Sequence, residues 1–160
     1  FKFHYIYLNV LSNFLFSLRN FALKLWVGGL WAIGVLVAPI LFASLSDRAL
    51  AGVLAGKMFN AIAWVGIGSA VYLLGHTLYR IGFRGMKEGS FWLIVAMLLL
   101  TLINSFAIHP WIVHLKAQAV QVAQGVFGGG FDTAHALSTL LYLIVCLLGL
   151  ALVVKSGGKG

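Results

Sequence analysis

The sequence predicts an all-α, polytopic integral membrane protein, built as a bundle of four transmembrane helices with both termini in the cytoplasm. The chain of 160 residues is 62% hydrophobic and 9% charged, with a mean hydropathy of +1.03. Soluble domains carry about 25% charged residues, so this chain lacks the polar surface that water requires and must be solvated by lipid. Four apolar stretches, joined by short connections, each reach the roughly 20 residues that cross a bilayer.

The distribution of positive charge predicts the orientation. A formal net charge of +8 comes from 11 Lys and Arg residues against three acidic ones. Eight of the 11 lie near the two termini or in the second connection, so the positive-inside rule places these regions in the cytoplasm. The basic residues lie at helix ends rather than in a patch with interleaved aromatic residues. We therefore predict contact with anionic lipid headgroups and no nucleic-acid binding.

Residues 1–22 form a predicted amphipathic segment that lies in the membrane interface and leads into the first helix. Polar residues interrupt this aromatic stretch too often for a comfortable span: Lys2, His4, Asn9, Asn13, Arg19 and Asn20. The alternative is that its second half extends the first helix continuously into the headgroups. No small-residue cleavage site follows the apolar stretch, so we expect no removable signal peptide.

The transmembrane domain is predicted over residues 23–154, followed by a cytoplasmic tail at 155–160. Its helices are predicted at 23–45, 51–79, 91–112 with an amphipathic extension to 124, and 133–154. At about 1.5 Å per residue, the first helix covers about 34 Å, enough for the hydrocarbon core. Asp132 or Thr133 is a predicted N-cap of the fourth helix, because a side-chain oxygen there can accept from an unpaired N–H of the first turn.

Two prolines and three histidines gather toward the predicted outer side. Pro39 and Pro110 each remove a backbone hydrogen bond and are predicted to kink the first and third helices. His109, His114 and His135 fall at the outer ends of the third and fourth helices. Neutral imidazoles can ligate copper, zinc or haem iron, and a site would need His135 with one of the other two, which do not share a helical face. The alternatives are that these histidines anchor helix ends in the headgroup zone or relay protons.

Polar residues also occur in the middle of the third and fourth helices. Thr101, Asn104 and Ser105 form a stripe that is too costly to face lipid, so it is predicted to turn into the bundle. Ser138 and Tyr142 share a helical face and are plausible hydrogen-bond partners. We favour an interhelical hydrogen-bond network over a substrate path.

Small residues recur at four-residue spacing and predict close contact between helices. The pairs are Gly28 with Ala32, Gly34 with Ala38, Gly52 with Gly56, and Gly66 with Ala70. Such pairs indicate packing and carry no information about a ligand.

The sequence disfavours an enzyme. It contains no buried carboxylate pair, no phosphate-binding glycine loop before a helix, and no nucleophile with a base at suitable spacing. Cys146 is the one cysteine, so no intramolecular disulfide or thiolate metal cluster can form. A transporter or channel is also disfavoured, because the predicted membrane core holds only uncharged polar groups at mid-depth.

Four segments in this order resemble a bacterial family, domain of unknown function 4149, which is similar to transmembrane-protein-205-like proteins. They are LWVGGLWAIGVLVAPILFASL, AGKMFNAIAWVGIGSAVYLL, NSFAIHPWIVHLKAQA and FDTAHALSTLLYLIVCLLGL. The resemblance covers nearly the whole chain after the first twenty residues, and the F-x-x-x-H-x-L-S segment places His135 at a motif position. A more distant similarity to CopD-like copper-resistance and HemJ-like haem-synthesis proteins is an analogy at the level of the fold.

Two functions follow as expectations. The first is an accessory or structural subunit that docks onto a larger membrane complex or self-associates, with the aromatic N-terminal segment as one contact. The second, which the resemblance keeps open, is a copper- or haem-handling membrane protein with an outer-facing histidine site.

Overall fold

The computed structural model describes residues 2–121 and 130–157, and their side chains over 10–47, 50–115 and 133–157. This described part is almost entirely helical and contains no strand. Its α-helices are α1 (Lys2–Trp31), α2 (Ala38–Ser44), α3 (Arg48–Ile81), α4 (Gly89–Ile103), α5 (His109–Gln121) and α6 (Gly130–Gly157). Two π-helical segments, Ala32–Val37 and Asn104–Ile108, join α1 to α2 and α4 to α5, and a 3-10 segment, Gly82–Lys87, joins α3 to α4.

Four stretches of the described chain are long and apolar enough to cross a membrane, which confirms the predicted four-helix transmembrane fold. They are Val10–Ser44, Leu50–Lys87, Gly89–Leu115 and Thr133–Gly157. α1 begins well before the predicted residue 23 and continues through the polar positions Asn13 and Arg19 without a break.

The N-terminal segment and the first predicted helix form one continuous α-helix. No interruption occurs at residue 22, and the hydroxyl of Tyr72 in α3 donates to the backbone carbonyl of Leu15 at 3.1 Å. This continuity agrees with the second of the two alternatives for residues 1–22. Their placement relative to the membrane surface stays a prediction.

The four spans form a ring in chain order. The first span, composed of α1, its π segment and α2, packs against α3 and α6, and α4 packs against the same two helices. Neighbours in the ring run antiparallel because each connection reverses the chain. The two ends of the bundle differ in the residues they carry. We call the end that carries Pro39 and Pro110 the proline end, and the end that carries Arg19, Arg80 and Lys155 the basic end.

The largest buried cluster extends from the middle of the bundle toward the basic end. Trp26 of α1 and Met97 of α4 are its largest fully buried side chains. Its other members are Leu23, Val27, Leu30, Ile62, Ala70, Leu73, Ile94, Val145, Cys146 and Leu152. A second cluster, nearer the proline end, contains Ile108, Ile112 and Ala134.

The short connections are fixed by local hydrogen bonds. Asp47 precedes α3, and its Oδ1 accepts from the backbone N–H of Leu50 at 3.2 Å, which is the usual geometry of an N-cap. The Trp92 indole N–H donates to the carbonyl of Met86 at 2.8 Å across the second connection. α6 begins at Gly130, so Asp132 and Thr133 lie within its first turn. The prediction that one of them is the N-cap is therefore wrong. The last residues of the predicted third-helix extension, 122–124, lie outside the described residues.

Both prolines follow a π-helical segment in the same register. Each π segment ends two residues before its proline, at Val37 before Pro39 and at Ile108 before Pro110. A proline ring clashes with the carbonyl four residues earlier in a regular α-helix. The wider π turn contains that carbonyl in both helices, so the clash is relieved within the helix and the chain stays helical.

Candidate functional site

The three predicted metal ligands lie at the proline end on two helices. His109 and His114 belong to α5 and His135 to α6, and all three side chains are exposed. The Nε2 atom of His109 lies 3.8 Å from the position that a Cβ would take at Gly56 in α3, so this imidazole reaches toward α3. Among the described residues, no group of three or more His, Cys, Asp or Glu side chains is placed to hold a metal ion. A site made from a histidine pair stays a prediction.

The mid-bundle polar residues take part in two contacts that involve α6. Ser138 donates through Oγ to Oδ1 of Asn104 at 2.8 Å, and the Tyr142 hydroxyl donates to the backbone carbonyl of Leu30. The Tyr142 ring also meets Phe59 edge-on, with 4.9 Å between ring centroids. α6 therefore links the first, second and third spans through two side chains one helical turn apart.

The other two polar positions of the third span behave differently. The Thr101 hydroxyl is buried and donates to the carbonyl of Met97 in its own helix at 2.8 Å. Ser105 is half-buried within the π segment Asn104–Ile108. Of the predicted stripe, Asn104 is thus the residue that makes an interhelical hydrogen bond in the described bundle.

The small-residue pairs differ in what they contact. A Cβ added at Gly66 would strike the Trp26 indole, and one at Gly34 would lie 2.7 Å from Cε1 of Tyr142. A Cβ at Gly28 would meet nothing within 4 Å. Spacing alone therefore predicted close contact correctly at two glycines and incorrectly at Gly28.

The basic end contains a cavity of about 310 Å³ that all four spans line. Its apolar wall includes the buried side chains Leu23, Leu73, Phe91, Ile94 and Leu152. Its polar wall consists of Arg19, His76, Thr77, Arg80, Glu88, Ser90 and Ser156. Two guanidinium groups thus share this cavity with one carboxylate.

The hydrogen-bond donors of the cavity are not equally available. The hydroxyls of Thr77 and Ser156 donate to their own helices, at the carbonyls of Leu73 and Val153, so their single protons are already used. The Nε2 atom of His76 is buried and has no hydrogen-bond partner among the described residues. The Arg19 guanidinium lies over the Phe16 ring, 5.9 Å from its centroid, which limits the directions it can take.

His76 had no predicted role, and Arg19 and Arg80 counted only toward the predicted topology. One signal was available, since His76 and Arg80 are four residues apart and therefore share a helical face. The contribution of Arg19 was not visible, because its proximity to α3 depends on how α1 packs.

Comparison with known proteins gives one family and no individual relative. A family described as a domain of unknown function (DUF4149) matches residues 21–121, which is more than half of the chain. The match begins where the resemblance predicted and ends before α6, so the segment around His135 lies outside it. Neither the curated proteins nor the solved structures include a match to this chain.

Proposed function

Because this chain belongs to the DUF4149 family, whose description assigns no activity, we propose from its own geometry that it is a non-enzymatic accessory protein of the bacterial inner membrane. In this proposal it docks onto a larger membrane complex, and both of its termini lie in the cytoplasm. The observation that carries the proposal is an exposed apolar stripe on α1 that contains aromatic residues.

The stripe follows one face of α1 from Val10 to Leu25. It consists of Val10, Phe14, Leu18, Phe21 and Leu25, all exposed and spaced three or four residues apart. At about 100° per residue, these positions fall within about 80° of arc. Phe14 and Phe21 are 62% and 61% exposed, so the bundle itself covers little of either ring.

The outward surface of α6 is different. Its large exposed hydrophobic side chains are all aliphatic in the described residues: Leu137, Leu140, Leu143, Ile144, Leu147, Leu150 and Val154. Aliphatic side chains suit lipid tails, whereas aromatic residues are enriched at contacts between proteins. The difference supports α1, rather than α6, as the side that meets a partner.

The interior of the described bundle is also consistent with an accessory protein. Two polar side chains of α6 bond to other spans, Ser138 to Asn104 and Tyr142 to the Leu30 carbonyl, whereas the buried Trp26 indole N–H has no hydrogen-bond partner among the described residues. Buried polar groups that are paired in this way hold helices together and do not require a substrate. This arrangement favours a packed scaffold over a transport path.

The proposal is tested by photo-crosslinking in native membranes. A photoreactive residue replaces Phe21 on the stripe, and a matched control replaces Leu147 on α6, which is 60% exposed. We expect the probe at Phe21 to form a discrete adduct with a different membrane protein and the probe at Leu147 to form none. Adducts with lipid alone, or with a second copy of this chain alone, would overturn the proposal.

A second proposed function is copper or haem handling at the proline end, through His135 with His109 or His114. The observation that favours it is the direct packing of α5 against α6, which brings the helices of these residues together. Metal analysis and an optical spectrum of natively purified protein provide the test. This function predicts bound copper or haem that His135→Ala removes, and background levels in both proteins would rule it out.

A further inference from the structure

Among the described residues, the wall of the cavity at the basic end carries more positive than negative charge. Arg19 and Arg80 enter it from α1 and α3, and Glu88 is the acidic residue in its wall. The nearby Lys155 adds a further positive charge, since its Nζ lies 2.5 Å from the Cβ position of Gly89 at the start of α4. Anions are therefore attracted to this end of the bundle.

The remaining hydrogen-bond donors of the cavity wall, two guanidinium groups and one imidazole, are of the types that bind oxygen-rich anions. A guanidinium group binds phosphate through two parallel N–H···O bonds, and Arg19 and Arg80 approach the cavity from different helices. Nε2 of His76, buried and without a partner in the described chain, can complete the set with one hydrogen bond. Most buried polar atoms in folded proteins have a hydrogen-bond partner. An unpaired buried nitrogen near two guanidinium groups is therefore a reason to look for a ligand.

The size and position of the cavity fit the same class of ligand. Its volume of about 310 Å³ lies at the lower limit of small-molecule sites, which begin at about 300 Å³. The apolar side chains Leu73, Ile94 and Leu152 close it toward the middle of the bundle. Basic pockets between transmembrane helices on the cytoplasmic side are known to hold lipid headgroups, and the positive-inside rule predicts that this end is cytoplasmic.

We propose that the basic-end cavity binds a phosphate group, with Arg19 and Arg80 as its ionic ligands and His76 as a hydrogen-bond partner. The phosphate belongs either to an anionic phospholipid headgroup or to a soluble phosphate compound. This site is independent of the α1 stripe and of the histidines at the proline end.

The test uses the full-length protein in dodecyl maltoside micelles at constant ionic strength. Thermal unfolding is followed during titration with short-chain phosphatidylglycerol, with inorganic phosphate, and with short-chain phosphatidylcholine as the zwitterionic blank. A ligand that binds the folded state raises the unfolding midpoint as its concentration rises. Stabilisation by phosphatidylglycerol alone identifies a lipid headgroup, and stabilisation by inorganic phosphate as well identifies a site open to soluble phosphates.

Variants assign the effect to the cavity. We expect Arg19→Gln and Arg80→Gln each to weaken binding about tenfold, the loss expected when one charge-assisted contact is removed. Arg84→Gln is the matched control, because it removes the same charge near the same end from a residue that does not line the cavity. It should change binding less than about twofold, because Arg84 does not line the cavity.

Two results would overturn the proposal. The first is no stabilisation of the unmodified protein by either phosphatidylglycerol or inorganic phosphate. The second is an equal loss of binding in Arg84→Gln and in the cavity variants, which would indicate attraction to the basic surface as a whole. If either arginine variant does not fold, His76→Leu tests the same site, because leucine has no hydrogen-bonding group, and unchanged binding in that variant would overturn the assigned role of His76.

Discussion

The basic and proline ends of this bundle are both formed by apolar helices, but they differ in packing as well as in charge. From the middle toward the basic end, long helices surround a wide buried core that includes Trp26 and Met97. Toward the proline end, two π segments interrupt the helices, and the buried cluster among the described side chains has three members. Regions with few buried contacts open at low free-energy cost. We therefore expect the basic half to be the more rigid part of the bundle and the proline end to deform more easily.

The largest difference between the halves should appear when the same residue type is removed from each. Trp26 is 0% exposed, whereas Trp111 near the proline end is 46% exposed. We expect Trp26→Ala to lower the free energy of unfolding by about 2–4 kcal/mol, less than in many soluble cores because lipid already solvates apolar groups. Trp111→Ala should cost less than about 1 kcal/mol. Equilibrium unfolding in mild detergent measures both, and equal losses would contradict the proposed division.

A smaller effect is expected from added volume at glycines of α1 and α3. In Gly66→Ala, the new methyl group would strike the Trp26 indole at the centre of the larger cluster, so we expect a loss of about 1–3 kcal/mol. In Gly28→Ala, the methyl group meets nothing within 4 Å. The helix preference for alanine should then leave stability unchanged or raise it by up to about 1 kcal/mol. The same unfolding assay provides the measurement, and comparable destabilisation by both would show that the Trp26 contact is not what limits Gly66.

The smallest effect concerns the hydrogen bond between Tyr142 and the Leu30 carbonyl, where the two halves meet. Tyr142→Phe keeps the ring against Phe59 and removes only the hydroxyl. Interhelical hydrogen bonds in membranes contribute about 0.6 kcal/mol on average, and we expect a loss of that order. Tyr79→Phe is the control, since Tyr79 is 83% exposed and its hydroxyl should contribute nothing measurable. A loss above about 2 kcal/mol would indicate that this bond supports more of the bundle than its own pair of helices.

The spans were predictable because hydropathy is a local property. The prediction of four apolar helices long enough to cross a membrane is confirmed in the described chain. The start of the first span was harder to place, since Asn13 and Arg19 interrupt the apolar pattern without interrupting the helix. The hydrogen-bond partners of the polar residues could be predicted only in part. Asn104 and Ser138 were both predicted to face the bundle, but their pairing depends on the rotation of α6 about its axis.

The sequence by itself determined that this protein is a four-helix membrane bundle, because the chain has too few charges for a water-exposed surface and four stretches long enough to span a bilayer. It also predicted an outer side where three histidines and two prolines gather, as the place to look for a metal or haem site. Only the tertiary structure brought Arg19, His76 and Arg80 around one cavity at the opposite end. The physical reason is that the packing of α1 against α3 determines which side chains meet. That packing depends on contacts such as Trp26 against Gly66, between residues forty positions apart in the chain.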